Sequence, residues 1–414
     1  MKHRNAVIAA SMPCIAALAM AGCSSGSGSG AQSESGSATG LTWSMWVSST
    51  DDQNAWKAIA DLVPAQDPGT TVTLQGSPWN DYWTKLGTLI TSDDSPCLVS
   101  IQSARVRTYQ DALVPLDDLV NEDDLSGFDS VALDAMKVDG NLYALPYDTG
   151  PAILFYNSDM FEEAGVPDPG ATMTADEFES AAEKLKAAGD LAFGATVEDT
   201  FLESQVLAYN GGQAVSEDGT FDVTNDAFLS GVSWIADLVK NGEALTADGA
   251  DGTADDNAFI SGRIASHVNG PWSVLDLSSK TDFAMGVTSL PSGTGGGTTY
   301  SSGSGFGISK KCDSPEKAMR AIEIMTGESA LEQLASEGRA FPARTDAQEA
   351  WYEKASDVLN VKETLEAAQK DSIPLPSSTL QNQFNQLLGQ YGVAAVNGTS
   401  DPESTFTEIA SQLK

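Results

Sequence analysis

The sequence predicts an α/β fold in a chain that is long enough for two lobes of ordinary domain size. Short runs rich in β-branched and aromatic residues alternate with segments of helical spacing, which favours a largely parallel sheet flanked by helices. The chain has 414 residues, and 392 remain once a predicted 22-residue leader is removed, enough for two cores. Hydrophobic residues make up 41% of the chain, a content that argues against disorder.

The first elements after the leader follow one another with clear changes of period. Apolar and β-rich runs predict strands, and apolar side chains spaced three and four apart predict helices. The predicted strands lie at 41–47, 71–74 and 98–102, and the predicted helices at 51–64 and 83–90.

Two later helices are marked by their ends. Thr174 and Glu177 have the spacing of a capping box, and Gly189 follows the last turn of the apolar stripe. Ser314 and Pro315 begin a second helix, since proline is favoured at the first helical position.

The first 40 residues predict export and a membrane anchor. Lys2 and Arg4 precede an apolar run that ends near Met20, which is too short to span a bilayer and is typical of a signal peptide over 1–22. Cys23 directly follows small residues and resembles the lipidated cysteine of a bacterial lipobox. Residues 23–40 predict a flexible tether, because 12 of the 17 residues after Cys23 are Ser or Gly. The alternative is an ordinary secretory signal with a chance cysteine.

The charge of the chain excludes several classes of partner. Without Lys2 and Arg4, the chain has 20 basic and 58 acidic side chains, which gives a net charge of about −38. Such a surface repels nucleic acid and anionic lipid headgroups, so we expect membrane contact only through the lipid anchor. The predicted location is the extracellular face of the cytoplasmic membrane.

Few histidines and cysteines remain after processing. His267 is the only histidine outside the leader, so a zinc site with two histidines is excluded, and we predict neither metal nor cofactor. Cys97 and Cys312 remain in an oxidising compartment, where they form either one disulfide or two buried free thiols.

A series of motifs resembles one family. The chain resembles the extracellular solute-binding proteins of ABC importers, in the branch that includes maltose- and other oligosaccharide-binding proteins. The motifs that carry the resemblance, in chain order, are LVPLD at 113–117, DGNLYALPYDTGP at 139–151, LFYN at 154–157, NGG at 210–212, FISGRI at 259–264, NGPW at 269–272, LP at 290–291, GFGIS at 305–309 and GRAFPAR at 338–344.

The resemblance implies a periplasmic-binding-protein-like fold in which hinge crossings join two α/β lobes. It places the crossings near 147–152, 298–302 and 347–351, with the glycine-rich stretch 292–305 leading into the second. The implied boundaries are 41–148 and 301–348 for lobe 1, and 149–300 and 349–414 for lobe 2.

The same resemblance supports a disulfide between Cys97 and Cys312. The family's returning strand, here 305–309, lies antiparallel beside the strand at 98–102. One cysteine precedes the first of these strands and the other follows the second, so both are expected at the same end of the sheet.

The expected ligand is a carbohydrate, which needs flat aromatic platforms and hydrogen-bonding side chains. Parallel strands present such side chains beyond their carboxyl ends. The resemblance places Trp272 against a sugar ring and Asp148 on the first crossing, and Trp46 and Gln102 end strands. The further candidates are Ser49, Trp79, Ser103, Tyr147, Asn210, Ser302 and Ser304.

These candidates have structural alternatives. Trp272 is either a platform or a core residue, and Asp148 either faces the cleft or caps a turn. Trp79 is either a platform or packing. Trp43 and Trp46 have odd separation on one strand, so at most one of them is expected to face a ligand. Arg105 and Arg107 either bind an anionic ligand, or one or both of them hold surface carboxylates.

The predicted function is capture without chemistry. The resemblance implies a monomer that binds an oligosaccharide between its lobes and docks on ABC permease subunits driven by a separate ATPase. The alternatives are a non-sugar solute such as a polyamine or peptide, a surface adhesin, and a glycoside hydrolase that uses paired carboxylates. No G-x-S-x-G or H-E-x-x-H motif is present, so no enzyme is predicted.

Overall fold

The computed structural model describes residues 39–249 and 253–414, and every structural statement concerns these ranges. The predicted signal peptide, Cys23 and most of the tether lie outside the described residues. In the described part of the chain, every helix is too short or too polar to cross a membrane.

Strands and helices alternate along the chain as predicted. The strands in the described ranges are β1 Thr39–Trp46, β2 Thr70–Ser77, β3 Leu98–Gln102, β4 Lys137–Val138, β5 Asn141–Leu142, β6 Ala144–Pro146, β7 Gly150–Pro151, β8 Ile153–Asn157, β9 Phe193–Gly194, β10 Ala244–Leu245, β11 Ser266–Asn269, β12 Met285–Ser289, β13 Tyr300–Ser302, β14 Ser304–Ile308 and β15 Ile373–Pro374.

The α-helices flank the strands and also form the carboxyl-terminal part of the chain. Those in the described ranges are α1 Thr50–Ala60, α2 Val63–Gln66, α3 Trp79–Leu89, α4 Val106–Tyr109, α5 Ser130–Ala135, α6 Ser158–Glu163, α7 Ala175–Ala188, α8 Asp199–Asn210, α9 Asp226–Lys240, α10 Thr253–Ile260, α11 Val274–Ser278, α12 Pro315–Met325, α13 Glu328–Ser336, α14 Gln348–Lys354, α15 Val361–Asp371, α16 Gln381–Leu387, α17 Val393–Val396 and α18 Pro402–Gln412.

The predicted helix ends are confirmed. Thr174 accepts from the backbone N–H of Glu177, and the Glu177 side chain accepts from the backbone N–H of Thr174, so the capping box of α7 is complete. Gly189 ends α7 in the left-handed conformation, with φ of 101°. Helix α12 has Pro315 at its first position. Strand β1 begins at Thr39, inside the predicted tether, because Thr39 and Gly40 continue the ladder with β2.

Lobe 1 contains a five-stranded sheet in the order β2-β1-β3-β14-β6. Strand β1 is parallel to β2 and β3, whereas β14 is antiparallel to β3 and β6. Buried Trp43 projects from β1 into the core, and its indole N–H donates to Ser100 Oγ over 3.0 Å. One hydrophobic cluster in this lobe collects residues from Leu41 to Tyr147 and from Phe306 to Ala347.

Lobe 2 contains a three-stranded sheet in the order β11-β8-β12, and β8 runs antiparallel to both neighbours. The two-lobe α/β class is confirmed, but the expectation of a largely parallel sheet is wrong for this one. The reason is chain direction: β8 and β14 each enter a lobe directly from a crossing strand and therefore run against their neighbours. The parallel pair β9–β10 also belongs to this lobe.

The crossings form a small sheet of their own, in the order β15-β13-β7. Gly150 pairs with Ser302, as the predicted first two crossings require, and Tyr300 pairs with Ile373 of β15. Strand β15 was not predicted at a crossing, because its two residues have no local pattern. The exact lobe boundaries stay a prediction, which the division of the hydrophobic clusters supports.

The predicted disulfide joins Cys97 and Cys312, with the two Cα atoms 4.5 Å apart. Residues Leu98 and Ile308 are partners in the β3–β14 ladder, so the cysteines flank one end of that pairing. The disulfide therefore links the returning segment to the first part of lobe 1.

Candidate functional site

Side chains from both lobes meet where β3 ends and α8 begins. Gln102 Nε2 donates to Thr200 Oγ1 over 3.3 Å, although the two residues are 98 positions apart. Both side chains are more than nine-tenths buried. This contact marks the boundary between the lobes and brings a predicted strand end to the amino-terminal turn of a lobe 2 helix.

Arg105 connects three elements at this boundary. Its Nη2 lies 3.0 Å from Asp199 Oδ2, and its Nε donates to Asn382 Oδ1 over 2.8 Å. Its Nη1 donates to Gln102 Oε1. The guanidinium is 1% exposed and the Asp199 carboxylate is fully buried. Of the two roles expected for Arg105, the structure shows a pair with a carboxylate, but this pair is buried between the lobes and not on the surface.

Arg107 has a different environment. Its guanidinium lies 3.2 Å from Asp139 Oδ1, and the Asp139 side chain is 71% exposed. This pair is the surface interaction that the sequence predicted. A cavity of about 410 Å³ opens beside Arg107 and Gly219, away from the buried pair of Arg105.

Further polar side chains complete what we call the interlobe network. Gln381 Nε2 donates to both Asp199 and Glu203 over 3.0 Å. Glu203 lies one helical turn after Asp199 on α8, and burial raises its pKa to about 8. The members of the network are Gln102, Arg105, Asp199, Thr200, Glu203, Gln381 and Asn382.

An aromatic cluster lies against this network from the lobe 1 side. The ring of Trp46 packs edge-on against Trp79, with centroids 5.0 Å apart, and lies 5.4 Å from Trp83. The Arg105 guanidinium carbon lies 4.8 Å from the Trp83 centroid and 5.6 Å from that of Trp79. Trp46 and Trp79 are only partly buried, so both residues keep accessible surface on the lobe 1 side.

The lobe 2 side offers a second aromatic pair. The rings of Trp272 and Phe201 are nearly parallel, with an interplanar angle of 17° and centroids 6.5 Å apart. Both side chains are partly buried. The Trp272 ring covers Gly270 so closely that an added Cβ would lie 2.2 Å from a ring carbon. Trp272 is therefore held at the lobe surface, next to the helix that carries Thr200.

The first crossing adds a buried carboxyl group. Asp148 Oδ1 accepts from the backbone N–H of Ser304 over 2.5 Å, and Asp148 is 8% exposed. Burial raises the pKa of Asp148 to about 7. Two residues later, Gly150 lies against Pro271, which precedes Trp272. The first crossing, which carries Asp148, therefore contacts the lobe 2 segment that carries Trp272.

We expect Asp148 to make stability fall as pH rises from about 4 to 7. Between these pH values Asp148 stays protonated in the folded protein, whereas in the unfolded chain its pKa is 3.8 and it releases the proton. The free energy of unfolding therefore decreases by at most about 4 kcal/mol over this range. Urea unfolding at several pH values should show a weaker pH dependence for Asp148→Asn, because the amide oxygen still accepts from Ser304. The matched control is Asp111→Asn at an exposed site; an unchanged slope in Asp148→Asn would contradict the prediction.

Other predicted residues lie in or near the same region but are already engaged. Ser103 Oγ accepts from the backbone N–H of Gly303 over 3.4 Å, and Ser302 is buried in β13. Tyr147 is 1% exposed and packs its ring between Trp56 and Phe306 in the lobe 1 core.

Ser49 and Asn210 serve helix ends. Ser49 is exposed and caps α1 by accepting from the N–H of Asp52 over 3.1 Å. Asn210 donates to Ala227 and accepts from Gly212, at the end of α8 opposite Thr200. The structure therefore separates Asn210 from the interlobe network, while a ligand contact by Ser49 stays a prediction.

The lobe 2 half of the network lies outside the family motifs. Asp199 and Glu203 precede the NGG motif at the end of their helix, and Gln381 and Asn382 begin a helix near the carboxyl terminus. The only local signal was the run of three polar residues, Glu198, Asp199 and Thr200, at the start of α8. In the described ranges no group of three histidine, cysteine or acidic side chains has the arrangement of a metal site.

The chain is similar to known binding proteins in sequence and in fold. A family described as "Bacterial extracellular solute-binding protein" matches residues 36–360. A binding protein of Brucella abortus (strain 2308) is 24% identical over 282 residues, covering 65% of this chain and 68% of the relative. The lactose-binding protein of Rhizobium radiobacter is 28% identical over 246 residues, 57% of each chain.

A solved structure shares the fold over almost the whole chain. It is an ABC substrate-binding protein from Listeria monocytogenes in complex with cycloalternan, with a TM-score of 0.80 at 22% identity. The match covers 91% of this chain and 98% of the Listeria chain. This likeness shows the two-lobe fold.

Proposed function

Because this chain belongs to the bacterial extracellular solute-binding proteins, we propose that it captures an oligosaccharide between its two lobes for an ABC importer. The observation that carries the proposal is the pairing of aromatic surfaces across a buried polar network. Trp46 and Trp79 lie on the lobe 1 side and Trp272 on the lobe 2 side. Aromatic faces suit the C–H faces of a sugar, and the polar side chains between them suit its hydroxyls.

Relatives support the carbohydrate class. They include the lactose-binding protein of Rhizobium radiobacter and a galactooligosaccharide-binding protein of Bacillus subtilis, which is 26% identical over 183 residues. That second match covers 42% of each chain.

Capture requires that the ligand binds the joined lobes better than the separated lobes. A saccharide that touches Trp79 on one lobe and Trp272 on the other stabilises the joined state and shifts the equilibrium toward it. The crossing strands β7 and β13 connect the lobes and are the segments about which they turn. The joined form then docks on permease subunits driven by a separate ATPase, and this chain itself catalyses no reaction.

The proposed location is the extracellular face of the cytoplasmic membrane. A lipid on Cys23 and the Ser/Gly tether keep a monomer near its permease, which raises its effective concentration there. The anchor is also the proposed limit of membrane contact, since the remaining chain is strongly acidic.

We expect Trp272→Ala to abolish saccharide-induced stabilisation. A saccharide at 100 times its dissociation constant adds about 2.7 kcal/mol to stability, which raises Tm by a few degrees or less. The measurement is thermal unfolding of the Cys23→Ser protein against mono- and oligosaccharides, polyamines and short peptides. Trp272→Phe, which keeps an aromatic face, is the matched control and should retain part of the shift.

Other outcomes of that panel have distinct meanings. A shift with a peptide, and with no saccharide, would keep the fold and overturn the carbohydrate class. Full retention of the saccharide shift in Trp272→Ala would place the site away from this tryptophan. No shift with any compound would favour the surface adhesin.

A further inference from the structure

Three buried carboxyl groups lie at or near the start of α8, and two of them belong to the interlobe network together with Arg105. Glu198, Asp199 and Glu203 are 8%, 0% and 1% exposed, and the contacts described bring Arg105 to this group. Glu198 precedes α8 and caps it by accepting from the N–H of Phe201 over 3.2 Å. If all three carboxyls were ionised, the cluster would hold a net charge of −2, which is costly in a buried site.

The cluster also has more acceptors than donors. Glu203 Oε2, Gln381 Oε1 and the Tyr300 hydroxyl are buried and have no hydrogen-bond partner. The Gln381 amide nitrogen already donates to both Asp199 and Glu203. Rotating the Gln381 amide by 180° would turn its oxygen toward the two carboxylates, so the amide must keep its nitrogen on that side. The Gln381 oxygen is therefore left without a hydrogen-bond donor.

Two of these unpartnered atoms belong to side chains that contact each other. Glu203 Oε1 accepts from Gln381, which places Glu203 Oε2 beside the same amide. The charge of Glu203 also acts on Tyr300, whose pKa is raised mainly by burial and then by this carboxyl. Tyr300 belongs to crossing strand β13, and Gln381 begins α16. The donors of Arg105 are engaged with Gln102, Asp199 and Asn382.

A ligand group that is complementary to this cluster must donate several hydrogen bonds and carry a positive charge. A sugar hydroxyl donates one hydrogen bond and leaves the charge unbalanced. An ammonium group donates three and neutralises one carboxylate, and charge-assisted hydrogen bonds are about twice as strong as neutral ones. Burial, and then the charge of Asp199, raise the pKa of Glu198 well above its usual value, which favours a proton on Glu198 and leaves one negative charge in the cluster. The other way to balance that remaining charge is a proton on Glu203, which makes this carboxyl a neutral acid.

We propose that the captured saccharide carries a protonated amino group, which Glu203 accepts with Gln381 and Tyr300 as its neighbours. The inference rests on the proposed function, because it specifies which saccharide the lobes select. Amine-bearing sugars are selected by charge and donor number, and their N-acetylated forms are rejected because they lack both.

The proposal predicts a characteristic pH dependence. Burial raises the pKa of Glu203 to about 8, with a further contribution from the charge of Asp199, while Arg105 and Gln381 act in the opposite direction. Below that pH the free protein holds a proton on Glu203, which an ammonium group must displace. Affinity for the amine therefore rises from about pH 6 to pH 8, as long as the amine stays protonated.

The test compares matched saccharides on the Cys23→Ser protein by calorimetry and thermal unfolding. The pairs are glucosamine against glucose and N-acetylglucosamine, galactosamine against galactose, and the glucosamine trisaccharide against cellotriose. Spermidine supplies an amine without a sugar. We expect each amine that binds to do so roughly tenfold or more tightly than its neutral counterpart.

Glu203→Gln distinguishes an amine site from a protonated acid. Glutamine has the shape of the neutral acid, so it removes the preference for amines and its pH dependence while the fold is retained. Glu183→Gln, at an exposed position on α7, is the matched control and should change neither. If Glu203 merely holds a proton, Glu203→Gln leaves every affinity unchanged, which overturns the inference.

The remaining outcomes separate this inference from the proposed function. Binding of neutral saccharides without tighter binding of their amines overturns the inference alone. Binding of spermidine but of no saccharide overturns the carbohydrate class and keeps the amine site. No binding by any saccharide or amine overturns both.

Discussion

Arg105→Met is expected to separate the two lobes. The substitution leaves the fully buried Asp199 carboxylate without its guanidinium, and breaking a buried pair in this way costs about 3–5 kcal/mol. Since Arg105 lies on lobe 1 and Asp199 on lobe 2, the lobes can avoid that cost by parting and admitting water. Small-angle X-ray scattering should therefore show a larger radius of gyration at neutral pH.

Arg107→Met is the matched control, two residues further along the same segment. Its partner Asp139 is 71% exposed, so the substitution should cost about 1 kcal/mol or less and leave the radius of gyration unchanged. Adding Asp199→Asn to Arg105→Met should restore the compact form in part, because no buried charge is then left unpaired. Equal scattering curves for Arg105→Met and Arg107→Met would show that the buried pair does not hold the lobes together.

Loss of the disulfide is expected to have an effect of similar size, but on lobe 1 itself. The bond closes a loop with a sequence separation of 215 residues. The bond lowers the conformational entropy of the unfolded chain, and this stabilises the folded state by up to about 5 kcal/mol. Urea unfolding of the Cys97→Ser/Cys312→Ser protein should show a lower midpoint than the parent protein.

Reducing agent provides the control for this prediction. A thiol reductant should lower the midpoint of the parent protein toward that of the double variant, and should leave the double variant unchanged. A midpoint shared by the two proteins without reductant would mean that the disulfide contributes little stability. Because the Cys97–Cys312 bond lies in lobe 1, saccharide binding by the folded double variant should persist.

The sequence determined most of what depends on neighbouring residues. Strand β3 was predicted over 98–102 as observed, and the ends of α7 follow from Thr174, Glu177 and Gly189. These features depend on the spacing of apolar side chains and on hydrogen bonds to the adjacent backbone. Both involve residues that are close together in the sequence. The family and its two lobes followed from motifs whose order along the chain is preserved.

The polar network of the candidate site was predicted on the lobe 1 side only. Trp46, Gln102 and Asp148 lie at strand ends or crossings, where the sequence pattern and the family resemblance indicate a position. Arg105 has two possible roles in sequence, and the structure selects one by placing it 3.0 Å from Asp199. Tyr147 was expected at the ligand, yet its ring fills the lobe 1 core.

Tertiary structure alone decided which charges meet between the lobes. Arg105 contacts Asp199 across 94 residues and Asn382 across 277, and Asp199 contacts Gln381 across 182. A local sequence pattern cannot predict contacts between residues so far apart in the chain. These contacts depend on the direction in which each crossing leads the chain into the next lobe. The same cause set β8 antiparallel to its neighbours, since a strand that enters from the hinge must run against those that return to it.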